Sequence, residues 1–315
     1  VSMFICISPN PAIDKRLRVP NLTLGAVNRA IEASPAPGGK AAHVAMTLRT
    51  LKADPLWLGF VGGHSGEMLL DGLKKLGIDV HAIPIQQPTR INLEIIADDG
   101  TVTEILEPGP AVSVAEVKSL QGACDLIFAK GKERAHVVLS GSLPPGVDNG
   151  FYATLIRQAQ AASCKVLLDT SGAPLRKALE HGLDFVKPNR DEAEWLIGAA
   201  ISCVRSGADA VRYLLAKGAK SAAVSLGREG LVWCPAKDAP VYYATPPVIA
   251  MRSAVGSGDA VVAAFAYSMS LGLAPEETIR IAAACGAANC LAESPGLLNA
   301  ADVSRLRDEV RVTII

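Results

Sequence analysis

Short apolar runs recur along this chain, each followed by chain of helical period, and that alternation leaves few architectures open. The runs are Phe4–Ile7, Leu56–Val61, His136–Ser140, Val166–Asp169, Phe185–Lys187, Ala222–Ser225 and Leu231–Cys234. They are near-continuous in apolar residues rather than strictly alternating, the pattern of strands covered on both faces of a mostly parallel sheet. Between them, Glu67–Leu76, Gly150–Ala162, Arg190–Ile197 and Ala208–Lys217 read as amphipathic helices. The expected fold class is α/β: a doubly wound, mostly parallel sheet flanked by helices, with ligands beyond the carboxyl ends of the strands. Half of the 315 residues are hydrophobic, enough for a core on both faces of such a sheet.

Two segments break the rhythm. Leu17–Ala33 and Arg90–Glu107 hold strand-like chain with no helix between. The second contains Asn92–Ala97, the turn Asp98-Asp99-Gly100 and Val102–Leu106, a hairpin signal. Together they are expected to form a small sheet projecting from the main domain. Its edges and its apolar face need a cover, so it is expected to close over a ligand, a partner subunit, or both.

Lys+Arg and Asp+Glu both number 31, a balance that argues against nucleic acid or anionic membrane as the main partner. A local basic pocket for a small phosphorylated ligand stays open. The seven cysteines form no C-x-x-C and have no zinc spacing, so a reducing, cytoplasmic setting is expected. Val1 and Ser2 ahead of Met3 read as vector-derived. The short apolar stretch Met3–Ile7 is expected to be neither signal peptide nor membrane span.

Five polar or Gly-rich turns follow strands in this frame. Gly256-Ser257-Gly258-Asp259 opens an apolar segment that is helical to about Leu271. Backbone N–H groups of such a turn converge on one point, an anion hole for phosphate or for a phosphoryl group in transfer. Asp259 beside it is either an acid offsetting the helix dipole or a base for an acceptor hydroxyl. No Gly-Lys-Ser/Thr comes after it, so this is not a Walker A loop. Pro37-Gly38-Gly39-Lys40 precedes the apolar helix Ala41–Leu51 and places an ammonium at a helix start, solvated or on a phosphate. In Lys187-Pro188-Asn189-Arg190-Asp191-Glu192, Asn189 and Glu192 are either a capping pair or oxygen donors near a hydrated Mg²⁺. Ser225–Gly230 joins two strands with glycines that admit a flat or phosphorylated ligand, and Ser140–Gly146 is a further turn.

In this order the motifs, with Asn10-Pro11-Ala12-Ile13-Asp14 and Thr89-Arg90-Ile91-Asn92, resemble the phosphofructokinase-B branch of the ribokinase-like sugar kinases over nearly the whole chain. The first stretch, Thr89–Asn92 and Ser140–Pro144 are most similar to 1-phosphofructokinases and tagatose-6-phosphate kinases. The resemblance implies one ribokinase-like domain over 1–315, with a β-sheet lid from about 15–34 and 88–107. It implies Asp259 as catalytic base, and Gly256, Ser257 and Gly258 as the hole for the γ-phosphoryl group. Asp14, Gly38, Gly39, Lys40, Asn92 and the residue at His43 would contact the sugar, and Arg90 would clamp its existing phosphate. Lys187, Asn189 and Glu192 would organise Mg²⁺–ATP, Glu192 through water. Ser225, Gly227, Gly230 and Asn289 would lie along the nucleotide.

The implied reaction is ATP-dependent phosphorylation of a phosphorylated ketohexose, with fructose 1-phosphate the first acceptor and tagatose 6-phosphate the alternative. A homodimer through the lid is implied as well. The family pattern Gly-Gly-Lys-Gly-x-Asn-Val-Ala is broken twice: Ala41 stands for a Gly, and His43 for an Asn that touches the sugar. Each imidazole nitrogen makes one hydrogen bond, so His43 implies either a tolerated exchange or an altered acceptor. The same departures admit a non-catalytic sugar-phosphate sensor, against which the intact Asp259 stands. Ala254, where the family has Thr or Pro, is expected to affect loop stiffness and to leave Asp259 in place.

Overall fold

The apolar runs pair side by side because each carries side chains that must be buried on both faces. The computed structural model describes residues 2–315; Val1, read as vector-derived, lies outside the described residues. The first half contains β1 (Met3–Ser8), β2 (Ala12–Val19), β3 (Glu32–Gly38), α1 (Lys40–Thr50), β4 (Pro55–Val61), α2 (Gly63–Lys75), β5 (Asp79–Pro84), β6 (Arg90–Ala97), β7 (Val102–Ile105), α3 (Val114–Gly131) and β8 (Ala135–Ser140). Next come α4 (Phe151–Ala161), β9 (Lys165–Asp169), α5 (Gly172–Leu179), β10 (Phe185–Val186), α6 (Arg190–Ile197), α7 (Val204–Ala216), β11 (Ala222–Ser225) and β12 (Leu231–Cys234). The last elements are β13 (Tyr242–Thr245), α8 (Ser257–Leu271), α9 (Pro275–Leu291), α10 (Ala300–Glu309) and β14 (Arg311–Ile314).

Ten strands form the main sheet in the order β14-β13-β12-β11-β10-β9-β8-β1-β4-β5. Pairing is parallel from β11 to β5, and antiparallel from β11 out to β14. Successive residues of β1 feed opposite cores: Phe4 and Cys6 pack with α1, α8 and α9, Ile5 and Ile7 with α3, α4 and α7. This is the doubly wound α/β architecture. Strands β5, β13 and β14 lay outside the sequence expectation. They sit at or near the sheet's ends, with half-exposed residues in place of a continuous apolar run.

Four strands make the second sheet, in the order β3-β2-β6-β7. Strand β2 runs antiparallel to β3 and parallel to β6, and β6 turns back into β7 around Asp98–Gly100. Strand chain expected within Leu17–Ala33 lies instead at Ala12–Val19 and Glu32–Gly38, with none at 21–31. Pro20 ends β2. Pro35 and Pro37 disguise β3, which tolerates them as an edge strand. The sheet is tied to the body by buried Glu94, which accepts hydrogen bonds from Arg16 Nε at 2.9 Å and from Ser253 Oγ at 2.6 Å.

Helix α8 is held hard against the main sheet. Phe265 is fully buried, with its ring 4.4 Å from Phe185 and 5.3 Å from Trp233. Burial of one such side chain stabilises by roughly 1.5–3 kcal/mol, so the helix start is a rigid platform. Among the described residues all seven cysteines are unpaired, and no helix is long and apolar enough to cross a membrane.

Candidate active site

At the start of α8, Gly256 is the N-cap residue with φ 79, a conformation that glycine adopts without strain. Ser257 N–H bonds to Ala254 O and Ala260 N–H to Gly256 O. The Gly258 and Asp259 N–H groups between them have no intramolecular acceptor among the described residues. They carry the positive end of the helix dipole. The helix has no side-chain cap: the buried Asp259 carboxylate turns away from the backbone and meets His43. Asp259 stands in the first turn of α8, where its charge offsets the helix dipole, and it makes no side-chain cap.

His43 lies in the first turn of α1, nearly buried. Its Nδ1 lies 2.8 Å from Asp259 Oδ2 and its Nε2 lies 2.8 Å from Asp14 Oδ2, both within hydrogen-bond distance. Asp14 Oδ1 accepts from Asn92 Nδ2 at 2.8 Å. Gly38 makes this packing possible, since a Cβ there would run into the Asp14 carboxyl group. Both ring nitrogens are thus spent on carboxylates, and neither is left for a sugar hydroxyl. Burial alone would push the His43 pKa down, but hydrogen bonds and charge from Asp14 and Asp259 outweigh it and raise it to about 10. For Asp14, burial opposes ionisation; the bonds and charge of His43, with Asn92 and the Gly39 N–H, hold it below the usual carboxylate range.

A second cluster adjoins the first. Lys40 Nζ lies 3.3 Å from Asp169 Oδ1 and 3.8 Å from Glu192 Oε1. Buried Lys187 Nζ lies 3.8 Å from the same Asp169 oxygen and runs beside Gly258, where any Cβ would come within 3.2 Å of it. Burial disfavours the Lys40 charge, yet Asp169, Glu192 and Asp259 more than compensate and hold its pKa above the usual lysine value. Asp169 was not singled out from sequence. The signal was there, an acid closing an apolar strand at the edge where α/β sheets bind ligands.

Asn189 and Glu192 form a reciprocal capping box at the start of α6, through Glu192 Oε2 and Asn189 Oδ1. This leaves Glu192 Oε1 facing Lys40. Asp169 Oδ2 is buried without a partner. No group of three or more His, Cys, Asp or Glu side chains gathers as a metal cage among the described residues. Two carboxylate oxygens of this kind suit Mg²⁺, which keeps several waters and needs few protein ligands.

The remaining expected residues divide. Arg90 Nη1 and Nη2 donate to Glu107 O and Asn10 O, while Nε is buried without a partner. Ser225 bridges to Asn189 in parallel register, joining the two turns at the end of the sheet, and Gly227 faces open space. Gly230 instead packs on β13, where a Cβ would run into Ala244 O. Asn289 is buried with both ends of its amide engaged, Nδ2 on Val255 O at 2.7 Å and Oδ1 on Gly296 N–H at 2.8 Å. It braces the turn ahead of the anion hole. Buried polar atoms of Asn10, Arg90, Asn92, Ser140 and Asp169 lack partners. Such atoms are rare and call for an explanation, and their gathering here suits a strongly polar ligand. Two cavities of about 490 and 850 Å³ lie instead at the amino ends of β8 and β9, the opposite edge of the sheet.

Residues 10–301 match the model of a family described as pfkB family carbohydrate kinase. The 1-phosphofructokinase of Bacillus subtilis is 30% identical over 311 residues, covering 99% of both chains. That of Xanthomonas campestris is 35% identical over 270 residues, 84% of this chain and 83% of its own. Phosphofructokinase-2 from Escherichia coli, solved in complex with substrates and products, is similar with a TM-score of 0.91 at 26% identity, over 98% of this chain and 99% of that one.

Proposed function

Since this chain belongs to the pfkB family of carbohydrate kinases, and is a sugar-kinase phosphotransferase on a ribokinase-like fold, we propose that it phosphorylates a phosphorylated ketohexose at the expense of ATP. Fructose 1-phosphate is the acceptor put forward, in line with the name of the bacterial relatives. The observation that carries the reading is Asp259: an uncapping carboxylate between the open N–H groups of α8 and the Asp14–His43 pair.

In the proposed reaction Asp259 Oδ1 takes the proton of the acceptor hydroxyl as that oxygen bonds to the γ-phosphorus. The bond from phosphorus to the bridging oxygen breaks, and ADP leaves with the electron pair. Charge gathering on the phosphoryl oxygens is met by the open N–H groups of Gly258 and Asp259 in the Gly256–Asp259 turn, with Lys40 and Lys187 beside them. Glu192 and Asp169 are the residues that would hold Mg²⁺, whose chemistry is to neutralise phosphate charge. Arg90 Nε and Asn92 Oδ1, buried without partners, are assigned to the acceptor and its phosphate, with Asp14, Gly38 and Gly39 beside them. Ser225, Asn189 and Gly227 are assigned to the nucleotide.

Within the single domain proposed for 1–315, the second sheet, which supplies Asp14, Arg90 and Asn92, is assigned as a lid that excludes water. Exposed Leu24, Val27, Ile31 and Ile105 on this sheet and its loop support a homodimer through the lid. Unpaired thiols support a cytoplasmic setting. Coupled ADP release with fructose 1-phosphate, tagatose 6-phosphate, fructose 6-phosphate and unphosphorylated hexoses tests the reading. The highest kcat/KM is expected for fructose 1-phosphate. Preference for tagatose 6-phosphate changes the acceptor alone, whereas no turnover with any sugar overturns the reading.

A further inference from the structure

The first turn of α1 brings an imidazole into a place where two carboxylates compete for it. Asp14 comes from β2 of the second sheet and Asp259 from α8 of the body, and His43 is in hydrogen-bond contact with both. A carboxylate oxygen 2.8 Å from a ring nitrogen needs a proton between them, because two lone pairs at that distance repel. Two such contacts place two protons on the three groups, and with carboxylates as acceptors the ring is an imidazolium. The other charged groups around this unit are Lys40, acting on Asp259, Arg90, acting on Asp14, and Glu104, within reach of both Asp14 and the ring. Of these groups, only His43 is in hydrogen-bond contact with both acids.

The same contacts fix the Asp259 carboxylate. Oδ2 is held by the ring, which leaves Oδ1 as the oxygen without an intramolecular partner. The backbone of His43 is held in turn: Gly296 packs so closely that a Cβ there would meet His43 Cα at 2.7 Å. Asp14 in turn is held by Asn92. One rigid chain of contacts, Asn92–Asp14–His43–Asp259, runs from the second sheet to the start of α8.

We propose that His43 is a positioning residue for the catalytic base, a doubly bonded imidazolium that orients Asp259 toward the acceptor and supplies the positive charge that lets Asp14 and Asp259 face one buried space. An amide at this position has no charge to offer, so the two carboxylates would repel and one would hold a proton into a higher pH range. The inference rests on the assignment of Asp259 as base.

Two measurements on the full chain test it. In protein labelled with ¹⁵N-histidine at about pH 7.5, the His43 ring is expected to carry protons on both nitrogens and to lose that signature in Asp14→Asn. A singly protonated ring in the wild type overturns the inference. In steady-state kinetics with the acceptor turned over fastest, His43→Asn is expected to lower kcat on the order of 10- to 100-fold while KM for the sugar changes less than about threefold. The acid limb of its kcat/KM profile is expected to move to higher pH. A raised KM with unchanged kcat makes His43 a sugar contact and overturns the inference. If His43→Asn does not fold, His43→Gln takes its place, and the wild-type spectrum decides independently. Wild-type protein without turnover on any sugar overturns the kinase reading and this inference with it; active wild type with an equally active His43→Asn overturns the inference alone.

Discussion

His43 Nδ1 and Asp259 Oδ2 lie 2.8 Å apart across 216 positions of chain, so the first turns of α1 and α8 meet at one carboxylate. That contact separates the roles that an acid at a helix start can play. Its oxygen serves another side chain, and the helix N–H groups are left to a ligand.

Replacing this acid by its amide keeps the size and a hydrogen-bonding oxygen but removes the proton acceptor. Asp259→Asn is expected to lower kcat by at least ~10²-fold while ATP affinity stays close to wild type. Steady-state rates beside calorimetric titration with a non-hydrolysable ATP analogue check it. A variant that keeps its rate removes Asp259 from the base role.

The bridged ring also makes stability depend on pH. His43 holds its proton to about pH 10 in the folded chain, against an ordinary value of 6.5. The native state therefore binds this proton more tightly than the unfolded one. The gain is complete below about pH 6.5 and is lost as pH rises toward 10, with a slope of at most ~1.4 kcal/mol per pH unit. Asp14 has the opposite sign: its contribution is present above the ordinary carboxylate range and is lost as pH falls through its lowered value. Denaturant melts from pH 6 to 10 are expected to show the first decline, and His43→Asn to flatten it.

Arg90 donates to two backbone carbonyls and keeps a buried Nε without a partner. Arg90→Ala is expected to raise KM about tenfold or more for phosphorylated acceptors, the scale of one charge-assisted contact. Unphosphorylated hexoses should be much less affected. An equal rise for both would assign Arg90 to holding the loop at Glu107 alone.

Asp169 balances buried Lys187 and half-buried Lys40. Removing one partner of a buried ion pair leaves an uncompensated charge, so Asp169→Asn is expected to cost about 3–5 kcal/mol of stability. Urea denaturation measures it. A loss below about 1 kcal/mol would mean that water or Glu192 balances Lys187 equally well.

Ser253 links the second sheet to the turn ahead of α8 by its bond to Glu94. Ser253→Ala leaves a buried carboxylate oxygen short of a donor, at a cost of about 1–3 kcal/mol. Hydrogen exchange is expected to quicken in β6 and in 250–256 together. Quickening in one of them only would show that the two move independently.

The parallel strands and the helices between them were legible from residue order, since a strand covered on both faces must be a local apolar run. Leu56–Val61 and Ala222–Ser225 were legible in this way. Strand β3 was not, because its prolines and glycine spell a turn, and only its edge position tolerates them. The turns that gather at the site, Gly38–Lys40, Lys187–Glu192 and Gly256–Asp259, could be marked in advance because each has a local signature of glycine or cap.

Which side chain serves which was another matter. Asn189 and Glu192 read equally well as a cap or as donors to a hydrated metal, and the fold makes them a cap with one oxygen to spare. Asp169 passed for the end of a strand until Lys40 and Lys187 were found upon it. His43 passed for a changed sugar contact until both its nitrogens were found on carboxylates from two other elements. Periodicity and turn chemistry act over a few residues and leave their mark in residue order. A hydrogen bond depends on tenths of an ångström between groups far apart in the chain, and those distances exist only once the helices and the second sheet have packed on the core.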